Sequence, residues 1–236
     1  MRLATYRTGK TIILYDASSV WDGQVAPQLG PTLLDPHHWR QQGRVVGEAP
    51  GRGSSLFLDA GGEQWVLRPY RRGGLIARLS EARYLWLGLE STRAFRELRL
   101  TARLHEQGLP VPRPVAASVT RHGLSYEAAL LTVRITGACA LAEQLLEHST
   151  DSAMLKTVGA TIRRFHDAGL DHVDLNARNL LVDDHGKIWL IDLDRCRIRA
   201  SRRHVPRNLK RLARSLQKLG HPEAMGAILE GHRQAE

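Results

Sequence analysis

The chain has 236 residues, of which 42% are hydrophobic and 25% charged, a composition that argues against wholesale disorder, a fibrous repeat or a disulfide-stapled mini-protein. Its formal net charge of +10 predicts an anionic partner such as nucleic acid, nucleotide phosphates or an acidic membrane surface. Cys139 and Cys196 belong to no CxxC motif, so we expect a reducing compartment without a disulfide framework or a structural zinc site. No stretch has the apolar length of a signal-peptide core or a membrane span, so we expect contact with a membrane only from its surface.

The first predicted elements are a leader and a β-meander. Residues 1–43 contain one strand-like piece, Thr11 to Leu14, followed by a segment rich in Pro and Gly. From residue 44 to 72, apolar and polar residues alternate in short runs that are broken by glycines. This alternation predicts about three strands.

Helical and extended patterns follow. Apolar residues at helical spacing predict a helix from Leu75 to Leu89 and a clearer one from Arg93 to Gln107, which Gly108 ends. Strand patterns return in the segments PVAASVT and YEAALLTVRI. The chain up to this point is therefore β-rich with one main helix.

The rest of the chain is predicted to be mostly helical. Helical patterns cover residues 141–147 and 152–168, and the tail is helical from Arg207 onward. Between them lies an irregular segment and then a hairpin in which LLV pairs with IWLID. We predict an α+β fold with two lobes: a leader at 1–43, a β-rich N-lobe at 44–135 and a minimal, mostly helical C-lobe at 136–236.

One short segment carries a chemical pattern. Residues 172–179 read HVDLNARN, and an apolar hairpin then leads to Asp192. The spacing matches the H-x-D-x-x-x-x-N catalytic loop and the metal-binding aspartate of protein-kinase-like phosphotransferases. In that chemistry one carboxylate takes the proton of the acceptor hydroxyl, while an amide oxygen and a second carboxylate hold magnesium against the nucleotide phosphates. We therefore predict Asp174 as the catalytic base, and Asn179 and Asp192 as the metal ligands. A bare D-x4-N pattern also arises by chance, but here the His, the hairpin and the second Asp accompany it.

The β-rich half offers groups that could bind a nucleotide. Gly51, Gly53 and Ser54 lie in the segment GEAPGRGSS on a predicted strand-turn-strand, where glycines let backbone amides approach phosphate oxygens. A Gly-rich hairpin is more often only a turn, and that alternative stays open. Arg68 occupies the place of the phosphate-binding lysine, and an arginine can fill that role because it keeps its charge. Its predicted partner is Glu97 on the following helix, unless Glu97 forms only a surface pair with a residue one turn away.

Together these segments resemble the 3-deoxy-D-manno-octulosonic acid (Kdo) kinases of the lipopolysaccharide kinase group, within the protein-kinase-like superfamily. The likeness runs through GRGSSLF, VLRPYRRGGL, RYLWLGLESTRAFREL, LPVPRP, HVDLNARNLL and IDLDRCRIR. The resemblance implies a two-lobed protein-kinase-like fold and an enzyme that uses ATP and Mg²⁺ to phosphorylate the Kdo sugar of a Kdo-lipid A precursor in lipopolysaccharide core biosynthesis. It also implies a peripheral position on the cytoplasmic face of the bacterial inner membrane.

The sequence departs from the protein-kinase pattern at two positions. Asp194 replaces the Gly of the D-F-G motif, and Asn176 stands where protein kinases carry a catalytic-loop lysine. Another cation must then neutralise the γ-phosphate, and Arg178 is a candidate. Two alternatives to the Kdo kinase are a related kinase for lipopolysaccharide heptose or another small hydroxyl acceptor, and a catalytically silent kinase-like binding module.

The C-terminal part is strongly basic. Ten Lys and Arg residues occur between Arg195 and Lys218 without one Asp or Glu, and leucines recur behind them at helical spacing. This pattern predicts an amphipathic helix whose basic face is either merely solvated or in contact with the anionic inner-membrane surface or the acceptor. The charge alone would also suit nucleic acid, but no nucleic-acid-binding motif accompanies it, so we predict neither a nucleic-acid nor a protein partner.

Overall fold

The structure is a computed structural model that describes residues 1–20, 29–49, 55–70, 84–147 and 151–234. The chain divides into two compact units, Met1–Glu106 with Arg113–Arg134, and Gln107–Pro112 with Ile135–Glu236. The domain division into residues 1–43, 44–135 and 136–236 stays a prediction.

The first unit is built on an antiparallel sheet. The strands are β1 Leu3–Thr8, β2 Thr11–Asp16, β3 Val45–Ala49, β4 Ser55–Asp59, β5 Gln64–Pro69, β6 Tyr84–Leu85, β7 Pro114–His122 and β8 Ser125–Val133. Their order in the sheet is β1-β2-β7-β8-β5-β4-β3, and β6 also pairs with β8. The predicted meander is confirmed, because β3 pairs with β4 and β4 with β5.

The two faces of this sheet bury different clusters, because successive side chains of a strand point to opposite sides. The helices of the unit are α1 Ala17–Val20, α2 Pro36–Gln41 and α3 Arg93–Glu106. On one face α3 buries Phe95 and Leu98 against residues of β2, β7 and β8. On the other face Trp39 of α2 packs with Trp65 and Leu67 of β5. The sheet therefore fixes β5 and α3 as two neighbouring elements of one unit.

Two parts of the first unit differ from the sequence-based expectation. Residues 3–16, expected to form a leader with one strand, add two strands at one edge of the sheet. The predicted helix from Leu75 to Leu89 is wrong from Tyr84 onward, and its earlier residues lie outside the described ones. Tyr84 and Leu85 pair with β8, and Gly88 has a φ of 98° that leaves the helical region. Tertiary strand pairing has thus overridden a local helical period.

The second unit is mainly helical. Its elements are β9 Cys139–Ala140, α4 Leu141–Glu147, α5 Ser152–Asp167, β10 Leu170–Asp171, β11 Leu180–Val182, β12 Ile188–Leu190, β13 Arg197–Ile198, α6 Val205–Leu219 and α7 Ala224–Gln234. Helices α5 and α7 approach closely through two glycines. A Cβ on Gly159 would lie 2.0 Å from the carbonyl oxygen of Ile228, and one on Gly231 would lie 2.0 Å from that of Lys156. Glycine is therefore required at both positions where α5 and α7 touch.

The predicted α+β class is confirmed by these two units. One combines an antiparallel sheet with a long helix, and the other combines helices with the small β11–β12 hairpin. These are the secondary-structure elements expected for the two lobes of a protein-kinase-like fold. Among the described helices, none has both the length and the apolar character that crossing a membrane requires.

Candidate active site

The HVDLNARN segment forms a loop between β10 and β11, held by its own polar side chains. The Nδ2 atoms of Asn176 and Asn179 donate to the carbonyl oxygen of Asp174, at 2.9 and 3.0 Å. The backbone N–H of Arg178 donates in turn to Oδ1 of Asn176 at 2.9 Å. Asn176 therefore supports the loop backbone from the position where protein kinases carry a lysine. The loop brings together two of the predicted site residues, Asp174 and Asn179.

The third predicted residue, Asp192, follows the hairpin that returns to this loop. The backbone N–H of Ile191 donates to the carbonyl oxygen of Asn179 at 3.0 Å, which places Asp192 one residue from a direct contact with the loop. Asp192 has a φ of 59°, a left-handed conformation that is uncommon outside glycine but is most often accepted by Asp and Asn. Backbone strain of this kind concentrates at functional sites.

His172 connects the start of the loop to the end of the hairpin. It is buried, and its Nε2 lies 3.1 Å from the carbonyl oxygen of Ile191, to which it donates. Burial lowers the pKa of His172, so the ring is neutral and carries a single proton for this bond. His172 therefore serves to orient the loop and Asp192 relative to each other.

Asp171, which belongs to no recognisable sequence motif, anchors the other side of the loop. Its buried carboxylate accepts hydrogen bonds from Arg199 at 2.7 Å, Arg207 at 2.8 Å and the side-chain amide of Asn208 at 3.1 Å. Oδ1 of Asn208 accepts from the backbone N–H of His172 at 3.1 Å. Burial alone would raise the pKa of Asp171, but the hydrogen bonds from these three side chains outweigh it and lower the pKa to about 2. The carboxylate is thus a charged clamp between the loop, β13 and α6.

Replacing Asp171 with Asn should destabilise the protein by about 1–3 kcal/mol at neutral pH, because hydrogen bonds to a charged group are lost. The carboxyl has its ordinary pKa of 3.8 when unfolded and a pKa of about 2 when folded, so its contribution is present above pH 4 and disappears as the pH falls toward 2. Urea unfolding at several pH values gives the free energy of unfolding of each protein. The difference in this free energy between wild type and Asp171→Asn should become smaller below pH 4. The exposed Asp184→Asn is the control, and a difference that stays constant with pH would contradict the assignment.

The basic segment between Arg195 and Lys218 is only partly a solvated face. Five of its ten basic residues form ion pairs within the second unit, with Asp167, Asp171, Asp174 or Asp194: Arg195, Arg199, Arg202, Arg207 and Arg211. The Nε of Arg211 lies 2.9 Å from Oδ1 of Asp174. Helix α6 also holds the loop through Ser215, whose Oγ accepts from the backbone N–H of Ala177 at 3.2 Å. Two side chains of α6, Arg211 and Ser215, therefore hold this helix against the HVDLNARN loop.

The first unit contains the predicted cation and its carboxylate partner. Arg68 of β5 forms an ion pair with Glu97 of α3, and Tyr70 donates a hydrogen bond to the same carboxylate. Burial raises the pKa of Tyr70, so its hydroxyl stays protonated and acts as a donor. Glu97 is buried, and it is therefore not the exposed surface residue of the alternative interpretation. The predicted phosphate-binding residues Gly51, Gly53 and Ser54 lie outside the described residues.

The donor set of the catalytic loop suits magnesium. Mg²⁺ prefers oxygen ligands and usually binds one or two protein side chains together with substrate phosphates. The amide nitrogen of Asn179 is already engaged with the Asp174 carbonyl, which leaves its Oδ1 as the atom suited to a cation. Asp192 supplies a carboxylate close to the same loop. These two residues are therefore of the kind that can hold Mg²⁺.

The chain is similar to a defined family and to several of its members. The model of the "Lipopolysaccharide kinase (Kdo/WaaP) family" matches residues 36–229. A protein of Stenotrophomonas maltophilia strain K279a, named 3-deoxy-D-manno-octulosonic acid kinase, is 47% identical over 220 residues, which are 92% of this chain and 85% of that protein. A protein of Vibrio cholerae with the same name is 41% identical over 184 residues, 78% of each chain.

Among solved structures, the PK-1 kinase of Cydia pomonella granulovirus aligns with a TM-score of 0.46 and 12% sequence identity, over 66% of this chain and 53% of that one. The family match spans most of the chain and includes the whole HVDLNARN loop and Asp192. The chain therefore belongs to the lipopolysaccharide kinase (Kdo/WaaP) family and is a phosphotransferase.

Proposed function

We propose that this protein transfers the γ-phosphate of ATP to a hydroxyl of the Kdo sugar on a lipid A precursor, during synthesis of the lipopolysaccharide core. Curated relatives that are 41–49% identical carry the name 3-deoxy-D-manno-octulosonic acid kinase. The observation that carries the chemistry is the hydrogen-bonded loop that joins Asp174, Asn179 and the residue before Asp192. This arrangement supports the assignment of a base beside a cation site.

In the proposed reaction Asp174 is the general base. An acceptor hydroxyl oxygen attacks the γ-phosphorus, the bond from that phosphorus to the β–γ bridging oxygen breaks, ADP leaves, and Asp174 receives the hydroxyl proton. The side chain of Asp174 is 45% exposed, so an acceptor can reach it. Arg211 contacts Oδ1, and no donor among the described residues contacts Oδ2. Oδ2 is therefore the atom that we expect to take the proton.

Asn179 and Asp192 are proposed to hold Mg²⁺ through Oδ1 and a carboxylate oxygen. When bound, the ion would offset the negative charge of the phosphates that it contacts. The hydrogen bonds of Asn179 and Ile191 keep both ligands in position before the ion arrives.

In the first unit Arg68 is proposed to hold phosphate oxygens of ATP. Glu97 and Tyr70 orient it, since Glu97 accepts hydrogen bonds from both side chains. A paired arginine keeps a defined direction, which a flexible side chain would lose. Gly51, Gly53 and Ser54 are proposed to add backbone and hydroxyl donors for the same phosphates.

Product analysis tests the proposed acceptor. The protein is incubated with ATP, Mg²⁺ and one of three lipid A precursors that carry Kdo, carry Kdo with heptose, or lack both sugars. Mass spectrometry should show one added phosphate on both Kdo-bearing acceptors and none on the third, and fragmentation should place it on Kdo. Phosphate on heptose alone would favour the heptose kinase, and no transfer to any acceptor would favour a binding module.

We further propose that the protein docks on the anionic inner-membrane surface at the cytoplasmic face. Arg197, Arg203 and Lys210 are exposed cations that form no ion pair with any described residue. Each cation near an anionic bilayer contributes about 1 kcal/mol of binding free energy. Arg207 is excluded from this set because its exposed side chain is bound to the buried Asp171.

The triple variant Arg197→Gln, Arg203→Gln and Lys210→Gln should bind vesicles that contain phosphatidylglycerol on the order of 10²-fold more weakly than wild type. Raised salt should reproduce this loss of binding, because dissolved ions screen the attraction between the cations and the bilayer, with a Debye length of about 10 Å at 0.1 M salt. Neutral phosphatidylcholine vesicles are the control. Sedimentation of the variant with anionic vesicles at wild-type levels would contradict the docking proposal.

A further inference from the structure

A cavity of about 270 Å³ opens beside Asp174 in the second unit. Asp174, Asn176, Arg211, Arg214, Ser215 and Lys218 line it. Three cations thus face one carboxylate, and the cavity is positively charged. A site of this kind suits a small ligand that carries both an anionic group, which the cations can bind, and a hydroxyl, which can approach Asp174.

Helix α6 gives this cavity a fixed geometry. Residues three, four and seven positions apart lie on one helical face, so Arg211, Arg214, Ser215 and Lys218 point the same way. Arg211 and Ser215 are bound to the catalytic loop, at 2.9 Å from Asp174 and 3.2 Å from Ala177. At a rise of about 1.5 Å per residue, the row from Arg211, which contacts the base, to Lys218 spans about 10 Å along the helix axis. That length matches a single sugar ring with its substituents.

The cations in this cavity differ in their partners. Arg211 is bound to Asp174 and therefore positions the base. Arg214 and Lys218 are exposed and form no ion pair with any described residue. In a second cavity of about 390 Å³, lined by Arg199, Ser201, Arg203, His204 and Arg207, two of the arginines are instead bound to the buried Asp171. Of these two cavities, the one beside Asp174 combines the base with cations that form no ion pair with any described residue.

We infer that Arg214 and Lys218 bind the carboxylate of the sugar-acid acceptor and thereby direct its hydroxyl to Asp174. This inference rests on the proposed function, because Kdo is a sugar acid whose carboxylate and hydroxyls share one small molecule. The phosphates of lipid A offer similar chemistry, but they are farther from the reacting sugar. A neutral sugar such as heptose lacks the anion, so these two residues would also determine specificity.

The inference is tested by combining chemical changes in the acceptor with substitutions in the enzyme, as in a double-mutant cycle. The acceptors are a deacylated Kdo-lipid A precursor, the same compound with the Kdo carboxyl converted to a methyl ester, and the same compound without its lipid A phosphates. The enzymes are wild type, Arg214→Gln, Lys218→Gln and the control Arg233→Gln, an exposed change on α7. KM for each acceptor, KM for ATP and the melting temperature are measured.

Esterification should raise the wild-type KM for the acceptor about 10–100-fold, the range expected when a charge-assisted hydrogen bond is lost. Arg214→Gln and Lys218→Gln should raise KM for the acid by a similar factor, leave KM for the ester and for ATP nearly unchanged, and melt like wild type. Arg233→Gln should behave as wild type throughout.

Three results would overturn the inference: equal losses on acid and ester, a raised KM for ATP, or a loss on removal of the lipid phosphates and none on esterification. Wild-type enzyme that phosphorylates none of these acceptors would reject the proposed function itself. That outcome is visible before any variant is compared, so the two failures are distinguishable.

Discussion

Replacing Asp174 with Asn should lower kcat by about 10²–10⁴-fold while the protein remains folded, because the amide keeps the shape of the carboxylate but cannot accept the acceptor proton. The side chain is half-exposed and its backbone carbonyl makes the bonds to Asn176 and Asn179, so the loop should persist in the variant. The measurement is single-turnover phosphate transfer at saturating ATP and acceptor.

ATP affinity and the melting temperature are the controls for Asp174→Asn. Both should stay close to wild type, since the proposed metal ligands and the Asp171 clamp are unaltered. If the variant turned over like wild type, Asp174 would not be the base. Loss of ATP binding would instead show that this carboxylate belongs to the nucleotide site.

The second large effect is expected for Asp192→Asn. Substitutions in the outer shell of a metal site commonly reduce metal affinity 10–100-fold, so removal of a ligand charge should reduce Mg²⁺-dependent ATP binding at least as much. Asn accepts the left-handed conformation at φ 59° as Asp does, so the backbone strain should not change. ATP binding is titrated against Mg²⁺ by calorimetry.

The exposed carboxylate of Asp184 provides the matched comparison for Asp192. Asp184→Asn makes the same chemical change in the hairpin turn between β11 and β12 and should leave the Mg²⁺ titration as it is in wild type. Identical titration curves for Asp192→Asn and wild type would remove Asp192 from the metal site.

Local patterns were sufficient to predict much of the fold and the proposed site. Alternating residues identified β3, β4 and β5, and a 3.6-residue period identified α3 and α5 to within one residue at either end. The pairing of Arg68 with Glu97 also followed from the sequence, because a motif fixes their order on a strand and the next helix. The bonds that join Asp174, Asn179 and Ile191, the residue before Asp192, lie within one short segment and its hairpin, where spacing constrains geometry closely.

The features that were missed depend on contacts between distant parts of the chain. Asp171 precedes the motif and resembles an ordinary loop aspartate, yet its partners Arg199 and Arg207 lie 28 and 36 residues further on. The run of basic residues was consequently predicted to be either solvated or in contact with the membrane surface or the acceptor, although half of it is bound internally. The pairing of Tyr84 with Tyr126 likewise joins segments whose own patterns give no sign of it.

The position of the transferred phosphate distinguishes a kinase that acts on Kdo from one that acts on another sugar. Wild-type protein is incubated with ATP, Mg²⁺ and a Kdo-lipid A precursor, and the isolated product is examined by ³¹P–¹H correlation NMR. We predict a new phosphate monoester whose phosphorus couples to a ring proton of Kdo, and at least about 10²-fold less of it in an equally timed reaction with Asp174→Asn. A product whose phosphorus couples to protons of another sugar, or release of inorganic phosphate alone, would contradict this prediction.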